Sequence, residues 1–139
     1  MVRTLEWDCQ QSGCFVDKRL LKLDLFADCL PEDMAFGDLD GYAEIGGRLC
    51  ILEWKDTAPE KEIPKAQDLA FRKLTKDTGN VVFVIFGVAE TMAVTAYYFY
   101  KAGTKSETVE VDLTDVKAHI KKWADWANDN KRVGYIKID

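Results

Sequence analysis

The sequence predicts a single α/β domain over residues 1–139, built on a mixed β-sheet with helices packed against it. Three observations carry this prediction: two strand-like segments joined by Gly46-Gly47, a helix-like segment that leads into a continuous apolar run at 81–88, and an amphipathic C-terminal segment. The chain is long enough for one domain with a sizeable core. It contains no repeat, low-complexity tract or linker that would divide it.

The N-terminal half is predicted to hold one helix and three strands. Residues 4–12 place Leu and Cys on one side of a short helix, and residues 19–26 alternate leucines with other residues at the period of a strand. Two further strands are predicted at 37–45 and 48–55. The intervening Gly46-Gly47 indicates a tight hairpin, since primed turns need positive φ values.

The C-terminal half adds two helices and two strands. A helix is predicted at 63–77, with Pro64 in its first turn. The run at 81–88 is apolar throughout, as expected of a central strand buried on both faces, and it forms a βαβ unit with parallel strands together with 48–55. A strand at 92–100 and a helix at 113–129 complete the chain. The apolar stripe of that helix consists of Leu113, Val116, Ile120, Trp123 and Ala127.

The hairpin predicts which side chains share a face. A two-residue turn at Gly46-Gly47 pairs Ile45 with Arg48, which places Asp40 opposite Glu53. The same register places Asp38 opposite Lys55, and the alternation of side chains brings all four to one face. The other face is predicted to be core, interrupted by Arg48 near the turn; it carries Leu39, Gly41, Ala43, Ile45, Cys50, Leu52 and Trp54.

The opposed carboxylates of Asp40 and Glu53 indicate a cation site. Facing carboxylates repel each other, and a divalent cation removes that cost. Carboxylate oxygens completed by water and phosphate oxygens are what Mg²⁺ prefers, and such an ion activates water for attack on phosphorus. Lys55, two residues from Glu53 on the same face, is placed to orient that water or to neutralise charge that develops on the phosphate.

These residues resemble a known family pattern. Gly37-Asp-Leu-Asp-Gly41, followed by an apolar strand and Glu53-Trp-Lys55, resembles the D…E-x-K signature of the PD-(D/E)XK nucleases. The resemblance implies Asp40, Glu53 and Lys55 as catalytic residues. It also implies Asp40 and Glu53 as ligands of Mg²⁺ or Mn²⁺, with Asp38 as an accessory ligand. Leu39 stands where the Pro of the family's name would be.

The resemblance also implies a fold and a reaction. The fold is the restriction-endonuclease-like αβββαβ core, which would cover about residues 4–88, followed by an extra C-terminal strand and helix. Family members commonly carry a polar residue on the helix after E-x-K, and Gln67 is the match here, on a helical face shared with Ala70 and Leu74. The reaction is hydrolysis of nucleic-acid phosphodiester bonds, with DNA as the expected substrate.

Other residues admit a functional and a structural interpretation. Glu6 is a candidate accessory acid on the first helix. Four helix residues are either contacts to a phosphate backbone or a solvated face: Lys61, Lys65, Arg72 and Lys76. Trp123 and Trp126 either stack on bases, contact a second copy of the chain or, as expected of Trp123, pack in the core. Arg48 and Tyr42 are further candidates for a substrate groove.

Charge and cysteine content narrow the class of protein. The formal net charge of −5 argues against a protein that coats nucleic acid, but less against an enzyme with acidic metal ligands.

The cysteines Cys9, Cys14, Cys29 and Cys50 form no C-x2-C pair, and the single His119 lies far from them, so reduced thiols are expected. With no apolar leader at the N-terminus, a cytoplasmic location is expected. A homodimer remains open, and the alternatives to a nuclease are a catalytically silent relative that binds nucleic acid or protein and a structural α/β protein with a fortuitous motif.

Overall fold

The computed structural model describes residues 23–32, 34–56, 58–59 and 63–134. The chain divides between Asp38 and Leu39 into two compact units, and the prediction of one domain over 1–139 stays a prediction. The helix predicted at 4–12 lies outside the described residues. Within the described part, no helix is long and apolar enough to cross a bilayer.

The described part of the first unit contains a short 3-10 helix, Leu23–Cys29. The strand predicted at 19–26 is therefore wrong over 23–26, and its first four residues lie outside the described part. Alternating leucines over so short a run do not force an extended chain. Leu25 is largely exposed, while the Phe26 ring packs edge-on against Phe36 at 6.1 Å between centroids.

The second unit is built on a mixed β-sheet. Its main strands in the described part are β1 (Gly41–Ile45), β2 (Arg48–Lys55), β3 (Val81–Val88) and β4 (Ala93–Lys101), with two-residue strands β5 (Thr104–Lys105) and β6 (Val109–Glu110). The order is β1-β2-β3-β4-β5, and β6 also pairs with β4. Strands β2 and β3 are parallel, whereas the other pairs are antiparallel. The predicted α/β class with a mixed sheet is confirmed, and the restriction-endonuclease-like core stays a prediction.

The hairpin between β1 and β2 has the predicted register. Ile45 pairs with Arg48 and Gly41 pairs with Leu52. Gly46 and Gly47 have φ values of 60° and 85°, as a type I′ turn requires. A Cβ on Gly46 would also lie 2.8 Å from the carbonyl oxygen of Ala127. The first strand is shorter than predicted, since it begins at Gly41 rather than at residue 37.

Two helices pack on opposite faces of this sheet. Helix α1 (Lys65–Thr75) connects the parallel strands β2 and β3, which confirms the βαβ unit, although it is shorter than the predicted 63–77. Helix α2 (Leu113–Asp129) has the predicted bounds. It begins with a capping box, in which Asp112 and Asp115 each accept a hydrogen bond from the other's backbone N–H.

Both faces of the sheet are core, as predicted for β3, whereas the sequence predicted only one core face for the hairpin. On the α2 face, Cys50 packs with Leu52, Trp54, the central β3 residues and Trp123. On the α1 face, Ile51 packs with Phe71 of α1 and with Tyr98 and Tyr100 of β4. On the Glu53 face of the hairpin, Tyr42 and Glu44 of β1 are exposed, whereas Ile51 and Glu53 of β2 are buried.

Candidate active site

Strand β2 carries Glu53 and Lys55 to the α1 face of the sheet. The strand is extended, so these two side chains, separated by one residue, point to the same side. Glu53 pairs with Val84 and Lys55 with Phe86 on the neighbouring strand β3. Glu53 is 8% exposed, which is unusual for a carboxylate and requires polar partners.

Gln67 of α1 supplies one of those partners. Its Nε2 donates a hydrogen bond to Glu53 Oε1 at 3.1 Å, and its Oε1 accepts one from Lys55 Nζ at 3.3 Å. Lys55 Nζ also lies 3.1 Å from Glu53 Oε1, so the three side chains close a triangle. Three of the residues implied by the family resemblance are thus in direct contact.

The buried residues of α1 lie on the side of the helix that carries Gln67 to the sheet. Phe71 and Thr75 are buried, one and two helical turns after Gln67, whereas Ala70 and Leu74 are exposed. Ala70 and Leu74, three and seven residues after Gln67, lie on the same side of the helix as predicted from their spacing, but at its exposed edge. The aromatic ring of Phe71, which packs against Tyr100 at 5.4 Å, sets the rotation of the helix about its axis.

Asp40 lies next to this triangle along the hairpin but binds a backbone group. Its Oδ2 accepts a hydrogen bond from the backbone N–H of Trp54 at 2.6 Å. In the observed register that N–H would otherwise meet the carbonyl of Leu39. Since Trp54 N is about 2.4 Å from the Cα of Glu53, Asp40 Oδ2 lies within about 5 Å of that Cα. The backbone hydrogen bonding between β1 and β2 therefore ends at the Asp40 carboxylate, next to Glu53.

Asp38 is the last residue of the first unit and is exposed. It lies before β1, outside the ladder that the register prediction extended to it. Its assignment as an accessory metal ligand stays a prediction.

The donor atoms of Asp40 and Glu53 fit a hard divalent cation. Each carboxylate uses one oxygen in hydrogen bonds to the protein, and the described residues supply no hydrogen bond to Asp40 Oδ1 or Glu53 Oε2. The described part contains no cluster of three or more His, Cys, Asp or Glu side chains suited to an ion. Two carboxylates nevertheless form a usual ligand set of Mg²⁺, whose remaining ligands are water and substrate oxygens.

A second polar group, which the sequence did not predict, adjoins the triangle under α1. The Tyr100 hydroxyl donates to Asp68 Oδ1 at 2.6 Å, and Arg72 Nε donates to Asp68 Oδ2 at 3.0 Å. The Tyr100 hydrogen bond, followed by that of Arg72, lowers the pKa of Asp68. Asp68 follows Gln67 directly on α1. In the sequence, the alternation of Tyr98 and Tyr100 along β4 was the pattern that could have indicated this polar group.

Three of the other candidate residues make structural contacts. Arg48 Nη1 donates to the carbonyl of Thr78 at 2.7 Å, and Arg48 Nε donates to that of Asn130 at 3.0 Å. Its guanidinium also stacks over Trp126 at 4.8 Å. Trp123 is buried in the core, as expected.

The remaining candidates are dispersed. Tyr42 is 69% exposed on β1, and Lys65 and Lys76 are exposed at the two ends of α1. Arg72 is committed to Asp68. Glu6, Lys61, Cys9 and Cys14 lie outside the described residues, whereas Cys29 and Cys50 are free thiols.

Comparison of the chain with protein-family models, with curated proteins and with solved structures finds no significant match.

Proposed function

We propose that this protein is a metal-dependent nuclease that hydrolyses phosphodiester bonds of nucleic acid, with DNA as the expected substrate. The observation that carries the proposal is the contact among Glu53, Lys55 and Gln67, with Asp40 held beside them at the end of the hairpin. These are the residues of the D…E-x-K pattern and its accompanying helix glutamine. The resemblance to PD-(D/E)XK nucleases thus gains support from side chains that are distant in sequence and adjacent in the fold.

Each residue has a definite task in this proposal. Asp40 and Glu53 would hold Mg²⁺ or Mn²⁺, which supplies a Lewis acid and an activated water when bound. Gln67 restrains the Glu53 carboxylate through Oε1 and leaves Oε2 without a hydrogen bond from the described residues. Lys55, whose side chain is about one quarter exposed, is placed to orient a water or to stabilise negative charge on a phosphate oxygen.

One observation favours a second candidate, a nuclease-fold module that binds nucleic acid or protein without cutting. Glu53 is already neutralised by Lys55, and Asp40 is already bound to the backbone of Trp54. Both carboxylates therefore have partners that stabilise the fold without metal. A binding module predicts that these contacts persist when the ligand binds, whereas a nuclease predicts that they rearrange around the ion.

The direct test is a cleavage assay with Mg²⁺ or Mn²⁺ on labelled linear, nicked, single-stranded and branched DNA. We expect the wild type to cut at least one of these substrates. Lys55→Met should cut about 10²-fold more slowly or worse, because it removes the positive charge near the phosphate. Lys117→Met, which removes an exposed lysine from α2, is the matched control and should retain the wild-type rate.

Two results would contradict the nuclease. One is a folded wild type that cuts none of the substrates with either metal. The other is Lys55→Met cutting as fast as Lys117→Met. Binding of one substrate without cleavage would favour the module.

A further inference from the structure

Tyr98 lies in the same row of the sheet as Glu53. Glu53 pairs with Val84 on β3, and Val84 pairs with Tyr98 on β4. Paired residues point to the same face, and each strand spacing is about 4.8 Å, so the two Cα atoms are separated by about 10 Å. Val84 between them has a short side chain, which leaves space above β3 for the long Tyr98 side chain.

The contacts of the Tyr98 ring place it among the polar groups under α1. The ring lies 5.6 Å from that of Phe86, whose strand partner is Lys55, and 5.9 Å from that of Tyr100. Lys105 Nζ covers the ring at 4.3 Å. Tyr98 therefore packs between the Glu53 triangle and the Asp68–Tyr100 pair.

The Tyr98 hydroxyl is deeply buried and lacks a hydrogen bond. The residue is 2% exposed, and among the described residues this hydroxyl is the one buried side-chain polar atom without a partner. Burial first, then the negative charge of Asp68, raise the pKa of Tyr98 to about 12, and the nearby Tyr100 hydroxyl opposes this shift. The hydroxyl is thus protonated near neutral pH, and a buried donor of this kind requires an acceptor.

We propose that Tyr98 is a positioning residue for Glu53, whose carboxylate it holds through one internal water molecule. An internal water needs two to four polar partners, and the hydroxyls of Tyr98 and Tyr100 together with the Glu53 carboxylate provide them. The water satisfies the Tyr98 donor and restrains the Glu53 carboxylate. It also joins the triangle to the Asp68–Tyr100 pair in one network.

A double-mutant cycle of Tyr98→Phe with Glu53→Met tests this coupling through chemical unfolding. In the wild-type background, Tyr98→Phe should raise the unfolding equilibrium constant roughly tenfold, because a hydrogen-bond chain to a charged group is lost. In the Glu53→Met background the same change should raise it less than about threefold, because the acceptor is already absent. If the Tyr98 hydroxyl had no partner, Tyr98→Phe would instead lower the unfolding equilibrium constant, because it would remove an unsatisfied buried polar group.

Tyr97→Phe is the matched control, because Tyr97 is the next residue but points to the α2 face, where its hydroxyl binds His119. Its effect should be the same within about twofold in both backgrounds. The inference is overturned if Tyr98→Phe leaves the unfolding constant unchanged or lowers it, or if its effect is equal in both backgrounds. A crystal structure showing no ordered water between Tyr98 and Glu53 would overturn it as well.

The consequence for metal binding rests on the proposed function. If Glu53 binds Mg²⁺, Tyr98→Phe should weaken that affinity by about tenfold or more, as is typical when a group that orients a ligand is removed. The two ideas fail separately. Coupling to Glu53 in a protein that does not respond to Mg²⁺ would refute the nuclease and leave the role of Tyr98 standing. Equal Mg²⁺ affinity in wild type and Tyr98→Phe, with no coupling, would refute only the role of Tyr98.

Discussion

The carboxylate of Asp40 accepts the backbone N–H of Trp54 at 2.6 Å, at the point where the pairing of β1 with β2 ends. A short bond from a backbone N–H to a carboxylate is among the stronger hydrogen bonds in proteins. It replaces the main-chain bond that Leu39 would otherwise make, which explains why β1 begins at Gly41. The same contact fixes the candidate catalytic aspartate next to Glu53.

Arg48 is predicted to stabilise the fold. Its guanidinium links the hairpin turn to the segment after α1 and to the end of α2 through Thr78 and Asn130. Arg48→Met should lower the free energy of unfolding by about 1.5–3 kcal/mol, because two charge-assisted hydrogen bonds are lost. Arg132→Met, measured by the same urea titration, should change it by less than about 0.5 kcal/mol. Equal effects of the two variants would contradict this role.

The two described cysteines should differ in reactivity. Burial raises the pKa of Cys50 to about 11, whereas Cys29 is exposed. The thiolate is the reactive form, so an alkylating agent near neutral pH should modify Cys29 in the native protein and Cys50 only after unfolding. Peptide mass spectrometry of native and denatured samples measures this. Rapid modification of Cys50 in the native protein would place it outside the core.

His119 should make stability depend on pH. Burial, followed by the charges of Lys101 and Lys122, lowers the pKa of His119, and its Nδ1 lies 2.7 Å from the Tyr97 hydroxyl. Near and below a pH of about 6.5, the ordinary pKa of histidine, residue 119 binds a proton more readily in the unfolded chain than in the folded protein. The free energy of unfolding therefore falls as the pH decreases through this range. Urea unfolding between about pH 5 and 7.5 should show this slope in wild type and a smaller slope in His119→Gln. Equal slopes for wild type and His119→Gln would contradict this role of His119.

Elements with strong local patterns were predictable from the sequence. Strands β2 and β3 and helix α2 have the predicted bounds, because the glycine pair marks the start of β2, β3 is a continuous apolar run and α2 has a long apolar stripe. The two-residue turn predicted the hairpin register, and that register predicted that Asp40 and Glu53 are neighbours. Short elements were not predictable, since β5 and β6 contain two residues each and depend on pairing with β4.

The polar group under α1 depends on tertiary structure. Tyr98 reaches the row of Glu53 through the pairing of β3 with β4, and that pairing shifts at a bulge between Phe86 and Gly87. The sequence gives no register for this pair, so the position of Tyr98 relative to Glu53 was not predictable. The residues of α1 that pack on the sheet were not predicted either, and they are Phe71 and Thr75.

The central claim is that Asp40 and Glu53 together bind a divalent cation, and thermal melting with and without Mg²⁺ tests it most directly. A ligand that binds only the folded state raises the melting temperature, by about 5 °C or more at concentrations well above Kd. Asp40→Asn keeps an oxygen acceptor for Trp54 N–H, so the metal-free variant should stay within about 1 kcal/mol of wild type.

Asp125→Asn is the control for charge, because it removes one carboxylate from the exposed pair with Lys121 on α2. We predict that Mg²⁺ raises the melting temperature of wild type and of Asp125→Asn by the same amount, and that Asp40→Asn and Glu53→Gln show no shift. A wild type that does not respond to Mg²⁺ or Mn²⁺, or an Asp40→Asn variant that responds as fully as Asp125→Asn, would contradict the claim.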